Sequence, residues 1–513
     1  MTGKGEAAEP TSSVSFASLL ALVVASLPMY VDPAIHNVAV VLAGDALGMN
    51  GAQRALAASM ATLCIAASIL ATGSLGDRLG HKKIMMAGLA VAMAGGAVTA
   101  SAATPLMFDL GRALSGIGFA ASFGLSFALL KAIAPSPPDL AKTVARWLAL
   151  QTLGIVLMAV VGGYLANISW RVAYLLGPVI CIVALLLCLR SVPEAREETA
   201  GRLDIVGLLL VAAGLVCTLY GVSNAASAGW ASPRVLAPLL SGLVLLAAFA
   251  AWEWRAAAPA FPIRSFTDRE LMVGALAGVG FDMAGSSISL QLSQLWQYVY
   301  RFTPFEVSLG LLPFVLACIV AAGWAGQLVA RGVSIRLLVP GGLAAMAAAL
   351  AAVSFAGPST PYGWFVVPLL AAGTGLMMTQ TPTANLFIAK APPGLVGAMG
   401  SSRTAFGQFG FALGFALSSS VLYGMFKPLL HRDLVREGAA PVERHEAMSI
   451  LQQYVRTGNA ASFDPLIAQD VIASGTGAYL SAFQASLLVM ALLIAAIAAV
   501  CAWLLRRHGR PAP

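Results

Sequence analysis

Four charged side chains sit in otherwise apolar surroundings: Asp32, Asp109, Arg112 and Asp282. A charge at the centre of a bilayer costs at least about 2.5–3.5 kcal/mol, so each needs a task. The chemistry open to them is proton binding and ion pairing. Burial disfavours the charged form of any carboxyl, the property a proton-binding site exploits. Arginine keeps its proton at physiological pH, so Arg112 can only pair with an acid and be released when that acid is neutralised. Two partners are open to it: Asp32, at comparable depth on another segment, or Asp109, three residues earlier on its own helix face. Asp32 also borders Pro33, so a fixed ion pair or a cap at a helix kink is the bland alternative. Asp282 precedes Gln291, Gln294 and Gln297 at helical spacing. It reads as a second proton site, as a cation-binding acid, or as one end of an interhelical hydrogen bond. Met377 and Met378 lie beside Gln380 and Asn385. With Asn37, Gln291 and Gln294 they are candidates to line a tolerant substrate cavity, or they pack helices.

The elements that must position these residues are membrane helices. The chain of 513 residues is 59% hydrophobic and 10% charged, with a mean hydropathy of +0.84. Apolar runs long enough to cross roughly 30 Å of hydrocarbon follow one another throughout. They fall at 15–42, 54–75, 84–103, 105–131, 144–167, 170–190, 204–224, 235–252, 271–297, 305–330, 335–356, 362–389, 399–425 and 479–505, fourteen in all. An even count puts both termini on one side. Twenty of the thirty lysines and arginines then fall on that side, which the positive-inside rule makes cytoplasmic. The net charge of +8 reflects this topology and contact with anionic lipid, not a nucleic-acid partner. All six cysteines lie inside spans without metal-ligand spacing. Nucleophile, metal and phosphate constellations are missing, so the chain does not read as an enzyme or an ATP-driven pump.

Residues 73–83, GSLGDRLGHKK, link the second and third spans. Arg78, Lys82 and Lys83 are explained as a cytoplasmic anchor. Asp77 and the spacing of Gly73, Gly76 and Gly80 are not. This stretch resembles the signature loop of the major facilitator superfamily, G-x-L-x-D-R-x-G-R-K, with His81 in place of an arginine. VDPAIHNVAV at 31–40 resembles the first-helix motif L-D-x-T-I-V-N-V-A-L of the fourteen-helix drug–proton antiporter branch. GRALSGIG at 111–118 resembles its fourth-helix R-x-x-Q-G-x-G, and SWRVAY and RLDIVGLLL resemble its entries to helices six and seven. Three motifs depart from the branch. Met158 and Ala159 replace the Gly-Pro of the fifth-helix antiporter motif, Ser115 the glutamine of the fourth, and Val41 the proline that ends the first.

The resemblance implies an all-α integral membrane fold: two six-helix bundles plus two extra transmembrane helices. The expected division is a cytoplasmic tail 1–14, a bundle 15–190, a linker with the extra pair 191–270, a bundle 271–505 with an outer loop 427–478, and a tail 506–513. An amphipathic stretch at 442–458 is expected to lie over the carrier mouth. The implied function is proton-coupled export of lipophilic or amphipathic small molecules through a multi-pass bacterial inner-membrane protein. No cofactor is implied; the proton gradient drives transport, with protons, substrate and membrane lipid as partners. In this picture Asp77 latches the cytoplasmic face, docking at a helix terminus or at a basic residue of the facing loops. The altered fifth-helix motif keeps a metabolite uniporter or symporter open. A non-pumping sensor or lipid translocator of the same fold is the third alternative. The sequence names no substrate and no periplasmic adaptor.

Overall fold

The computed structural model describes residues 15–134, 137–196, 204–256, 261, 263–390, 396–436, 447, 449–451 and 465–506. The tails 1–14 and 507–513 and most of the segment 442–458 lie outside the described residues. The chain is helical throughout the described part: α1 Phe16–Ser26, α2 Pro28–Ala46, α3 Gly51–Leu79, α4 His81–Ala100, α5 Pro105–Ile133, α6 Pro137–Ile168, α7 Trp170–Ser191, α8 Ile205–Ala228, α9 Pro233–Arg255, α10 Arg269–Tyr298, α11 Pro304–Gly310, α12 Leu312–Ala330, α13 Ile335–Ser354, α14 Gly363–Ala389, α15 Val396–Arg436 and α16 Pro465–Arg506. Their starts follow side-chain chemistry. Asn50 and Gln53 form a capping box at α3, Thr303 and Glu306 another at α11, and Thr104, Ser169, Asp204 and Asp268 cap α5, α7, α8 and α10.

Twelve helices are long and apolar enough to cross a membrane among the described residues, with a shorter apolar stretch, Leu153–Ile168, in α6. The expected count of fourteen differs at α6 and α14. α14 has 27 residues, but its polar run Thr379–Gln380–Thr381 dilutes its apolar character. Two expected spans are broken helices. Pro28 lacks the N–H that would continue α1 into α2, and Pro313 does the same between α11 and α12. The expected outer loop is also shorter than 427–478. α15 has 41 residues and α16 has 42, each about 60 Å long at 1.5 Å per residue, twice the hydrocarbon thickness. Where α15 ends and α16 begins they share a small core in which Leu430 and Leu434 meet Ala447, Ile450, Ala468 and Val471. That apolar contact extends the helices where the polar composition reads as loop.

α1–α7 pack among themselves, as do α10 and α12–α16. α8 and α9 pack on each other, and α8 also touches α3 and α15, which meet along the seam between the groups. Within the first group, glycines set the spacing. A Cβ at Gly111 or Gly118 of α5 would run into the α4 backbone at Thr99 or Ala92, and one at Gly116 into the α3 backbone at Ala61. Backbones that approach this closely fix the height of α5, and with it Arg112.

Candidate functional site

Arg112 lies in the third turn of α5, and Asp32 in the second turn of α2, ahead of Pro33. The two meet bidentately: Arg112 donates from both terminal nitrogens to the two Asp32 oxygens, at 2.6 and 2.7 Å. The pair is buried, with the Arg112 side chain 3% and the Asp32 side chain 13% exposed. Such fork-to-fork pairing is geometrically specific. Of the two partners open to Arg112, the structure pairs it with Asp32. No ion pair forms with Asp109, whose Oδ1 is buried without a hydrogen-bond partner, as is Arg112 Nε.

Two neighbours complete the cluster, and sequence reasoning had not assigned either a role. Ser169 caps α7, and Arg171 stacks at 4.2 Å on Trp170 while donating to the Ala100 carbonyl that ends α4. This anchorage sets Tyr174 one turn further in, its ring 5.3 Å from the Arg112 guanidinium. A cation over an aromatic face is stabilised by the ring quadrupole. The Tyr174 hydroxyl is 2.6 Å from His36 Nδ1. The signal for Tyr174 was the SWRVAY stretch; for His36 it was a titratable residue one helical turn after Asp32. A small cavity lies beside the pair, lined by Val31, Asp32, Ile35, Ala173, Tyr174 and Gly177.

Asp282 stands apart from this cluster. Its carboxylate lies over Gly407 of α15, where a Cβ would collide with it. Arg403, one turn earlier on α15, interacts electrostatically with Asp282, and both act on Tyr30 of α2. Each glutamine uses its amide N–H for a helix–helix hydrogen bond and keeps a buried side-chain oxygen without a partner. Gln291 donates to Ser486 at 3.3 Å, Gln294 to the Tyr423 hydroxyl at 2.9 Å, and Gln297 to Ser293 at 2.9 Å and the Val38 carbonyl at 3.4 Å. Met378 packs with Ala325 and Leu338 on the α12–α13 side. Met377 and Gln380 are half-buried and Asn385 is exposed. Asn37 is buried with its Oδ1 unpartnered, while its backbone carbonyl accepts from Ser293 across the seam.

The contacts of the 73–83 link fall within the first helix group, and among the described residues Asp77 meets neither a helix terminus nor a basic residue of the facing loops. Asp77 pairs with His81 one turn on, at 2.8 Å, so the residue in place of arginine takes the acid locally. Gly80 turns with φ of 109°, a conformation that favours glycine. The Glu194 carboxylate then accepts from the Lys82 N–H at 2.9 Å, the Ala195 carbonyl accepts from the His81 N–H at 2.8 Å, and Lys82 Nζ donates to the Leu189 carbonyl at 3.3 Å. The turn is thus strapped to the end of α7 within the first helix group. Gly76 packs under Leu125, Gly73 is half-buried, and Lys83 is exposed. At the same end Lys390 bridges Asp268 at 2.7 Å and Glu270 at 2.6 Å. Partial burial opposes the charges, but each ion holds the other: the Asp268 carboxyl falls below its ordinary range and the Lys390 ammonium rises above its own.

At the opposite end Arg54 joins the two groups. It donates to Asp45 at 2.7 Å, to the Met49 carbonyl at 3.0 Å, and to the Tyr298 hydroxyl of α10 at 2.9 Å. The Tyr423 ring lies 6.0 Å from its guanidinium, Tyr479 packs edge-on against Tyr298, and Asn167 of α6 accepts from the Phe305 N–H at 3.1 Å.

Comparison with known proteins places this geometry. The sequence model of the Major Facilitator Superfamily matches residues 17–415. Multidrug resistance protein Stp of Mycobacterium tuberculosis is 26% identical over 441 residues, covering 84% of this chain and 81% of the relative. Puromycin resistance protein pur8 of Streptomyces alboniger is 28% identical, covering 79% and 81%. Among solved structures, a bacterial homologue of the human lysosomal transporter Spinster in an inward-facing and occupied conformation superposes with a TM-score of 0.66 at 14% identity, covering 96% of this chain and 98% of that one. The peptide-transporter-family protein PepTSo gives 0.62 at 14% identity, covering 94% and 98%. These two relatives carry the names of drug-resistance proteins, and the solved structures share the fold. The chain belongs to the Major Facilitator Superfamily: it is a multi-pass membrane transporter and not an enzyme.

Proposed function

We propose that this chain is a proton-coupled exporter of lipophilic or amphipathic small molecules, driven by the proton gradient across a bacterial inner membrane. The observation that carries this reading is the buried bidentate pair of Arg112 and Asp32. The arginine cannot release its proton, so the pair changes state only when Asp32 gains one. Protonation frees the guanidinium inside the first helix group and removes the anion from α2, the helix whose Asn37 and Val38 carbonyls hold α10 across the seam. One proton crossing 100 mV is worth about 2.3 kcal/mol.

In this reading α6 and α14 complete fourteen spans, and both termini are cytoplasmic. Residues 15–190 and 271–505 rock against each other around a midplane site, with α8 and α9 as the inserted pair. Closure at the Arg54–Tyr298 end leaves access from the cytoplasmic end, which bears the 73–83 link. Asp282 with Tyr30 and Arg403 is then a second charged locus in the substrate path. Names of relatives such as Stp and pur8 support drug export. A second reading, uniport or symport of a metabolite, is favoured by Met158 and Ala159 where the branch has Gly-Pro.

Everted membrane vesicles carrying wild type or Asp32→Asn test the coupling. A proton gradient is imposed, and its dissipation is followed on adding ethidium, puromycin and a neutral amphiphile. Collapse in wild type and not in Asp32→Asn supports proton antiport. No proton movement with any compound, together with net uptake in right-side-out vesicles, favours the second reading.

A further inference from the structure

His36 is 1% exposed and makes two hydrogen bonds. Nε2 lies 3.2 Å from the Ala58 carbonyl of α3, and Nδ1 lies 2.6 Å from the Tyr174 hydroxyl of α7. A carbonyl only accepts, so in the neutral ring Nε2 carries the hydrogen and Nδ1 accepts from Tyr174. The groups facing the imidazole are of mixed kind. α5 contributes the Arg112 cation, which acts on it electrostatically, with Asp109 one turn away on the same helix. α2 contributes the Asp32 carboxylate one turn earlier. α15, from the second helix group, contributes the Phe415 ring at 6.1 Å. α6 packs Gly162 on the adjacent Ile35, and α10 sends Ser293 to the next carbonyl, Asn37. Tyr174 and Asp32 line the same small cavity.

We propose that His36 and Tyr174 form a proton relay to Asp32, loaded at His36 when Phe415 of the second helix group moves off the imidazole. A proton bound at Nδ1 reverses the existing bond, and the imidazolium donates to the Tyr174 oxygen. The Tyr174 hydroxyl hydrogen then turns toward the cavity and the Asp32 carboxylate. Transfer breaks N–H at His36, forms O–H at Tyr174 and breaks the original Tyr174 O–H, and a water entering the shared cavity takes that proton and gives one of its own to form O–H at Asp32. The net change is one proton from His36 to Asp32, which releases Arg112. Phe415 lies across the seam, so the relay is sealed while the groups are closed and opens only as they part. Proton entry is thereby tied to the conformational cycle. The proposal rests on the proton-coupled reading above.

The test combines a spectroscopic and a transport measurement. Full-length protein labelled on its five histidines is titrated by nuclear magnetic resonance in nanodiscs, with His36→Gln assigning the signal. The relay requires the Nε2–H tautomer at pH 8, uptake of a second proton on titration to pH 5, and a midpoint that moves by about one pH unit in Asp32→Asn. In everted vesicles with ethidium as probe, His36→Gln and Tyr174→Phe are expected to slow proton movement at least tenfold and to flatten its pH profile. A His36 signal that stays neutral from pH 8 to 5, or that ignores Asp32→Asn, overturns the relay. So does a wild-type pH profile in both variants. Should His36→Gln fail to fold, the titration in wild type, Asp32→Asn and Tyr174→Phe decides alone. Should wild type move no protons with ethidium or puromycin, the coupling reading falls, and the titration still decides whether His36 and Asp32 exchange a proton.

Discussion

Removing either member of the Arg112–Asp32 pair strands the other, but the two losses are unequal. Breaking a buried ion pair by deleting one partner costs about 3–5 kcal/mol, because an uncompensated charge is left behind. With side chains 3% and 13% exposed, this pair falls in that class. Arg112→Met leaves a carboxylate that can escape the penalty by taking up a proton. Asp32→Asn leaves a guanidinium that has no such escape. Its one refuge is Asp109, the acid three residues earlier on α5 with an unpartnered oxygen. Asp32→Asn is therefore expected to destabilise by about 3 kcal/mol, and adding Asp109→Asn by at least about 1 kcal/mol more. Arg112→Met is expected to cost about 1–2 kcal/mol less than Asp32→Asn, because its stranded carboxylate can be neutralised. The double variant Arg112→Met with Asp32→Asn should cost less than the sum of the two single changes by about 2–3 kcal/mol. Denaturant titration in detergent micelles, followed by the fluorescence of the nine tryptophans, measures these four variants against wild type. Additive costs would refute the reasoning, because they would mean the two charges are separately solvated.

Other sites give sharper local tests. Tyr298→Phe removes the Arg54 hydrogen bond across the seam, worth about 1.5–3 kcal/mol to a charged group. It should shift the conformational balance at least tenfold toward opening at that end, read by thiol labelling of a single cysteine placed beside Asp45. Gly410→Ala pushes a methyl into the Val279 backbone, whereas Gly323→Ala meets open space; the first should lower thermal stability and the second leave it unchanged. Gly80→Ala combines a φ of 109° with a collision against Glu194, and should cost about 1–2 kcal/mol and raise hydrogen exchange at the Lys82 amide. The Lys390 bridge has signs that can be worked out. Asp268 is depressed, so its contribution is present above about pH 4 and lost as pH falls through its folded value. Lys390 is raised, so its contribution is present below about pH 10 and lost as pH rises further. Lys390→Met should therefore alter stability by under about 1 kcal/mol and leave the transport pH profile between pH 5 and 9 unchanged.

That this is a helical membrane protein is legible in its amino-acid order alone. Runs of about 20 apolar residues admit no other way of satisfying the backbone in lipid. The same order singled out Asp32 and Arg112, because a charge in such a run stands out by its cost. The 73–83 link was legible for the same reason: charge gathers where lipid ends. What the sequence left open was which groups meet. Asp109 and Asp32 were equal partners for Arg112 on spacing alone, and the choice was made by glycine-mediated approach of α5 to α3 and α4. Gln291 and Gln294 were legible as a polar face, but not the groups that take their amide hydrogens, Ser486 and Tyr423, nearly 200 and 130 positions away. His81 hid the fate of Asp77, since a neutral or charged imidazole one turn on competes with any distant partner. The extension of α15 and α16 beyond the membrane was invisible in a polar composition, because the apolar core that supports it is shared between three separate segments. Tyr174 and His36 were ordinary residues until folding set them against Arg112 and Asp32. Periodicity and hydropathy are local and survive in the sequence; pairing between distant helices is decided by packing, and only the tertiary structure holds it.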